Sequence, residues 1–363
     1  MLKVIHVVGA RPNFVKIAPV IAALNEVKDE LHQILVHTGQ HYDQNMSGIF
    51  FKDLNINEAD EHLGIGSGTH AEQTSAVIMG CERMFKKYKP DLVVVVGDVN
   101  STLAAAITAA KMGIKLAHVE SGLRSYDRSM PEEHNRVVTD HLSDILFTPS
   151  EDASVNLHRE GIAKHRIHFV GNVMIDSLIN QLPHRPQLKE IKIAGLSGLQ
   201  NEHYALLTLH RPSNVDNPSV ISEIFRGLKP LSDEMPVIFP THPRTRNQLE
   251  NIDTDHLTIC EPLGYREFLS LESHARLVLT DSGGIQEETT FLGVPCITIR
   301  KNTERPITIT HGTNVLADPQ NLTHIVRDIL SNNPHNKAAQ IKFWDGKAAE
   351  RIASIIASRE WMN

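Results

Sequence analysis

The sequence predicts an α/β protein of two domains, each a mostly parallel sheet with helices on both faces. Three observations lead there. Short β-branched and aliphatic runs alternate with helical patterns from end to end, the signature of βα units and right-handed crossovers. One run, Leu92-Val93-Val94-Val95-Val96, is apolar without interruption, as a strand covered on both faces must be. The chain has 363 residues, beyond the usual size of one domain, and its pattern weakens between Pro183 and Gly198 before resuming.

Taken in order, strands are expected at Val4–Val8, Gln33–His37, Leu92–Val96, Lys115–His118, Ile145–Thr148 and His168–Val170. Helices fit between them at Pro12–Asn25, His70–Lys87, Ser101–Lys111 and Glu132–Leu142. Pro90 and Asp91 halt the helix that precedes the Val-rich strand. Pro183 to Gly198 holds two prolines and scattered charges, and is expected to be a connection of limited order. Strands resume at Ala205–Leu209, Val237–Pro240, Leu257–Cys260, Leu277–Thr280 and Cys296–Ile299. These define two Rossmann-like domains, residues 1–170 and 171–346, with a C-terminal helix at 347–363 completing the first. Ligands in such folds collect at the carboxyl ends of strands, so the expected site is a central cleft between the domains.

Composition narrows the function. Apolar residues make up 41% and aromatics only 5%, which suits parallel sheets packed with Val, Ile, Leu and Ala. The formal charge of −7 comes with no basic block, which speaks against nucleic-acid binding. Cys81, Cys260 and Cys296 lie far apart without metal-ligand spacing, and are expected to be free thiols in a reducing compartment. Met1 runs straight into a strand, and no apolar stretch approaches the ~20 residues needed to span a bilayer. A cytoplasmic protein is expected.

The chemistry sits in turns that follow strands. Leu277–Thr280 leads into Asp281-Ser282-Gly283-Gly284 and then a helix through Ile285-Gln286-Glu287-Glu288. Glycines let backbone N–H groups approach a phosphate, and the helix N-terminus adds partial positive charge. Glu288, about two turns in, can accept both hydroxyls of a ribose. A plain helix cap with a glycine turn would read the same way locally. The first βα turn, Gly9-Ala10-Arg11-Pro12-Asn13-Phe14-Val15-Lys16, is not G-x-G-x-x-G, which argues against a dinucleotide cofactor. Arg11 and Lys16 could neutralise a diphosphate there, or lie on a solvated helix face.

Three acidic turns close strands or open a helix: Gly97-Asp98, His118-Val119-Glu120, and Pro131-Glu132-Glu133-His134-Asn135-Arg136. Glu132 and Glu133 could simply oppose a helix dipole, and Asp98 could cap a strand. If all three turns converge on one crevice, mutual repulsion should raise one or more pKa values and supply an acid and a base. The second domain adds His210-Arg211-Pro212, Thr241-His242-Pro243-Arg244 and the cations of Arg300-Lys301-Asn302-Thr303-Glu304-Arg305. No H-x-x-x-H or His/Cys pairing supports a metal, so the histidines are expected to hydrogen-bond or move protons beside phosphate.

These motifs, with Thr38–His41, Gly97–Thr102, His118–Ser125, Leu209–Asn214 and Trp344–Gly346, occur in the order expected of one family. The chain resembles the non-hydrolysing UDP-N-acetylglucosamine 2-epimerases, of glycosyltransferase-B-like fold, over nearly its whole length. The resemblance implies reversible conversion of UDP-N-acetylglucosamine to UDP-N-acetylmannosamine without NAD or metal, through elimination of UDP to a bound 2-acetamidoglucal and re-addition. It implies catalytic roles for Asp98, Glu120, Glu132 and His210. Substrate contacts implied are Arg11, Lys16, Arg136, His242, Phe268, Ser282, Gly283, Gly284, Glu288 and Arg305, with Phe268 at the uracil. A homodimer is implied, with no cofactor. The chain departs from the family where a regulatory substrate site is often built: Gln40-His41 precedes Tyr42-Asp43, and Gly66–His70 stands where an arginine is usual. Relatives acting on UDP-2,3-diacetamido-glucuronic acid share most motifs, and a hydrolysing epimerase is a further alternative.

Overall fold

The computed structural model describes residues 1–27, 31–39, 58–194, 196, 198–241, 243–249, 252–332 and 340–362. The chain divides into two compact units. The first is Met1–Asn180 with Lys342–Asn363, and the second is Gln181–Ile341.

The first unit is a seven-stranded sheet of β1 (Leu2–Val8), β2 (Leu31–His37), β3 (Glu61–His62), β4 (Leu92–Val96), β5 (Lys115–Val119), β6 (Ile145–Thr148) and β7 (Ile167–Phe169), in spatial order β3-β2-β1-β4-β5-β6-β7. Every pairing is parallel. Side chains alternate between two cores, Val4, Leu92, Val94 and Val96 entering one, and Ile5, Val7, Val93 and Val95 the other. That alternation explains the uninterrupted valines: both sheet faces are buried, so apolar side chains are favoured at every position of β4. Order reverses between β1 and β4, where α1 (Arg11–Asn25) follows β1. Asn13 stitches this switch point, accepting from the Ala10 N–H at 3.0 Å and donating to the Val96 carbonyl at 2.9 Å.

The helices α2 (His70–Tyr88), α3 (Asn100–Met112), α4 (Pro131–Leu142), α5 (Glu151–Arg159) and α6 (Val173–Gln181) complete the crossovers. Thr69 caps α2, its side chain accepting from Glu72 N–H while Glu72 reaches back. The first unit extends to Asn180 rather than residue 170, because Val173 and Met174 of α6 join its core. The returning segment packs through Trp344, whose Nε1 donates to Pro149 O at 3.1 Å. Its helix, α14 (Ala348–Ser358), buries Ile352, Ala353 and Ile356 against α1 residues including Val20 and Leu24. Asp176 of α6 caps α14 from outside, accepting from Ala348 N–H at 3.2 Å and Ala349 N–H at 2.7 Å.

The second unit repeats the plan with six parallel strands: β8 (Ala205–Thr208), β9 (Val237–Pro240), β10 (Thr258–Cys260), β11 (Leu277–Thr280), β12 (Cys296–Ile299) and β13 (Asn314–Ala317), in order β10-β9-β8-β11-β12-β13. Its helices are α7 (Pro212–Val215), α8 (Pro218–Ser232), α9 (Pro243–Gln248), α10 (Tyr265–His274), α11 (Gly283–Leu292), α12 (Ile307–Thr310) and α13 (Leu322–Asn332). The edge strand β13 has no counterpart among the expected strands: four residues beginning with Asn carry too little pattern to be seen. The stretch after Pro183 is more ordered than expected. It forms two short 3-10 turns, Leu182–His184 and Leu188–Glu190, and buries Ile191 and Ile193 in the core beneath β8 and β9.

Candidate active site

In the first unit the acidic turns sit at the carboxyl edge of β4 and β5. Expected repulsion between them is replaced by pairing with cations. Arg136, one turn into α4, donates Nη2 to Asp98 at 2.5 Å and Nη1 to Glu133. Lys16, on α1, donates to the buried Glu120. Each carboxylate on this edge thus faces its own cation in a charge-assisted hydrogen bond. Gly97 makes the arrangement possible. Its φ is +69°, and a Cβ there would lie 3.3 Å from Lys16 Nζ and 3.5 Å from Glu120 Oε2. Glu120 itself has φ +69°, a left-handed conformation that costs a non-glycine residue roughly 1–2 kcal/mol and is common at functional sites.

Glu133, which local reading could not separate from Glu132, serves the scaffold. It accepts from the Ser125 N–H at 3.0 Å, the Ser125 hydroxyl at 2.8 Å and the Tyr126 N–H at 2.9 Å. Glu132 is half-buried, one turn before Arg136, and among the described residues it makes no ion pair. Beneath the turns lies a network that motif spacing did not assign. The buried His118 ring spans the Gly97 carbonyl (2.8 Å from Nε2) and Asp140 (2.6 Å from Nδ1). Asp140 also accepts from Gly122 N–H at 3.0 Å and Arg124 Nη1 at 2.7 Å. Burial opposes its charge, but His118 and Arg124 outweigh that and hold Asp140 below the usual carboxylate range. The network ties the Asp98 and Glu120 turns to α4.

In the second unit, β11 ends at Thr280, Asp281 and Ser282 form the turn, and α11 starts at Gly283. Ser282 occupies the N-cap position but its side chain makes no cap hydrogen bond, so the turn does not follow the ordinary capped pattern. The Arg305 guanidinium lies against Gly283: a Cβ there would fall 2.3 Å from Arg305 Nη1. Arg305 pairs with Glu287 at 3.0 Å and with Glu304, which also holds Arg300 at 2.8 Å. A helix N-terminus with an arginine against its first residue has the donors and the partial positive charge to receive an anion, though Glu287 and Glu304 offset the arginine's charge.

Glu288, one expected ribose acceptor, is buried, and its Oε1 accepts from the Tyr265 hydroxyl at 2.7 Å. Burial pushes its pKa up to about 7, the Tyr265 hydrogen bond pulls the other way, and neighbouring Glu287 adds to the rise. Glu272, buried and facing Glu288, is raised well above the usual range by burial and by that charge. Phe268 is half-buried, packed on the core beneath α10. His210 follows β8, its Nδ1 2.8 Å from Asp281. His242 lies outside the described residues, as do residues 40–57 with the Gln40–Asp43 stretch, and the side chain of Arg11 is not described. Cys81, Cys260 and Cys296 are free and buried. Among the described residues no group of three or more His, Cys, Asp or Glu is arranged to hold a metal, and no helix is long and apolar enough to cross a membrane.

Residues 23–357 match the family model described as UDP-N-acetylglucosamine 2-epimerase. The chain is 43% identical to a UDP-N-acetylglucosamine 2-epimerase of Methanococcus maripaludis, covering 98% of both chains. It is 39% identical to a UDP-2,3-diacetamido-2,3-dideoxy-D-glucuronate 2-epimerase of Pseudomonas aeruginosa, over 98% of this chain and 99% of that one. The crystal structure of the Methanocaldococcus jannaschii UDP-GlcNAc 2-epimerase in complex with UDP-GlcNAc and UDP superposes with a TM-score of 0.89 at 41% identity, over 98% of this chain and all of that one. Fold and relatives together define an isomerase of two Rossmann-like units, of the glycosyltransferase-B-like class. The chain belongs to the UDP-N-acetylglucosamine 2-epimerase family.

Proposed function

We propose that the enzyme interconverts UDP-N-acetylglucosamine and UDP-N-acetylmannosamine, retaining UDP throughout. The observation that carries this reading is the division of groups: cation-paired carboxylates end the strands of one unit, and a glycine helix start backed by Arg305 follows a strand of the other. The reaction needs both. A carboxylate removes the proton at C2 while the C1–O bond breaks, giving UDP and 2-acetamidoglucal. UDP then attacks C1 as C2 is protonated from the opposite face. Asp98, Glu120 and Glu132 supply the proton chemistry, with Arg136 paired to Asp98 and Lys16 to Glu120. Ser282, Gly283, Gly284 and Arg305 hold the diphosphate, joined by Arg11, while Phe268 meets the uracil and Glu288 the ribose. His242 is assigned a place beside the phosphates, and His210 is the catalytic histidine. A homodimer in the cytoplasm is the proposed form.

The relative at 39% identity favours one alternative, epimerisation of a UDP-2,3-diacetamido-glucuronate. A panel of UDP-2-acetamido sugars incubated in deuterated water separates the two. UDP-N-acetylglucosamine should yield the manno epimer with UDP attached and deuterium at C2. Exchange confined to the diacetamido-uronate would transfer the assignment, and free UDP released in step with free sugar would indicate hydrolysis instead.

A further inference from the structure

Asp281 opens the phosphate turn in sequence, yet its carboxylate points away from that work. It is fully buried, and its side-chain partners among the described residues lie on the segment His210–Asn214 that follows β8. Oδ1 and Oδ2 each lie 3.1 Å from the His210 N–H, and Oδ2 accepts from Arg211 N–H at 3.0 Å and Asn214 Nδ2 at 3.1 Å. Arg211 Nε donates to the Asp281 carbonyl at 2.9 Å. The His210 ring completes the set with Nδ1 2.8 Å from Oδ1, while its side chain remains 60% exposed. Burial disfavours the charge, but the His210 ring and the N–H groups of Arg211 and His210 outweigh it and keep Asp281 below the usual carboxylate range.

An ionised carboxylate can only accept, so the ring nitrogen that faces it must carry a proton. The tautomer is thereby fixed with Nδ1–H toward Asp281, which leaves Nε2 as the unprotonated nitrogen of the neutral ring. We infer that Asp281 is the positioning residue for His210: it sets the ring's tautomer and orientation so that Nε2 is the nitrogen presented to the bound nucleotide sugar. Asp281 touches no substrate in this role. Its position one residue before Ser282 locks the histidine turn and the anion seat into one rigid piece, so ring and diphosphate keep a fixed relation during the reaction. The inference rests on the proposed function for His210's role, but the tautomer itself does not.

Two measurements test it. Nitrogen-15 spectra of histidine-labelled wild-type protein, with the His210 signal assigned by its loss in His210→Gln, should show a protonated Nδ1. An Nε2–H neutral ring would overturn the inference, and this readout needs neither substrate nor a folded Asp281 variant. Asp281→Asn keeps the acceptor for the backbone N–H groups but turns an amide donor toward Nδ1, enforcing the opposite tautomer. It should lower kcat about 100-fold or more while UDP affinity by calorimetry stays within about threefold. A kcat within twofold of wild type, or UDP affinity lost in parallel with kcat, would make Asp281 a structural strut and overturn the proposal. Absence of turnover by the wild-type protein on every UDP-2-acetamido sugar would instead sink the proposed function and leave the tautomer result standing.

Discussion

The two units share a strand order through six strands and put that edge to opposite electrostatic use. In the first, the turns after β4 and β5 present carboxylates, and the cations Arg136 and Lys16 arrive from helices to neutralise them. In the second, the turn after β11 presents backbone donors, the cation Arg305 is brought against it, and carboxylates Glu287 and Glu304 steady that cation. The fold supplies the same strand edge twice, and in the proposed function the side chains suit one edge to moving protons and the other to holding an anion. Predictions that distinguish these uses follow from the largest effect to the smallest.

Breaking the first unit's buried pair is the most disruptive. Lys16→Met removes one partner of the buried Glu120 carboxylate and should destabilise the protein by about 3 kcal/mol in denaturant titration. Adding Glu120→Gln should recover most of that loss. Failure of the double variant to recover would mean that Lys16 contributes by packing rather than by charge.

A second test addresses the closure of the first unit by its C-terminal helix. Burial raises the Asp176 pKa from 3.8 to about 6, against the pull of the Ala348 and Ala349 N–H groups. The folded state therefore holds a proton that the unfolded chain has released. The stabilising contribution is full below about pH 4 and is lost as pH rises through about 6. Asp176→Asn removes this dependence, so its stability relative to wild type should rise by about 3 kcal/mol between pH 4 and pH 7. Parallel stability curves would contradict the assignment.

The smallest effect compares two helix starts. Thr69→Ala deletes a capping hydrogen bond in the first unit and should cost about 1 kcal/mol. Ser282→Ala deletes none, and should leave stability within about 0.5 kcal/mol while weakening UDP binding. An equal stability loss at both would show Ser282 to be an ordinary cap.

Much of this was legible in sequence because it is local. Five consecutive aliphatic residues at 92–96 can only be a doubly covered strand, and strand ends place Asp98, Glu120 and Asp281 at the functional edge. The membership of α6 in the first unit comes from Val173 and Met174 packing on residues distant in sequence, not from composition. Partners escaped for the same reason. Lys16 and Glu120 are 104 positions apart, Arg136 and Asp98 38 apart, and His210 and Asp281 71 apart. Nothing in the motif Asp-Ser-Gly-Gly tells that its aspartate pairs with a histidine while its first glycine faces Arg305. Tyr265 was likewise invisible as the partner of Glu288, since only the packing of α10 on α11 joins them.

The central claim, that proton chemistry belongs to the first unit and retention of UDP to the second, is tested most directly by crossing two substitutions with two readouts. Glu120→Gln removes a carboxylate, and Gly283→Ala drives a methyl into Arg305. C2 hydrogen exchange and the UDP dissociation constant are then measured for both. The account predicts that Glu120→Gln loses exchange by about 100-fold or more with UDP affinity unchanged, and that Gly283→Ala weakens UDP by about tenfold or more. Loss of UDP affinity in Glu120→Gln, or unchanged affinity in Gly283→Ala, would contradict it.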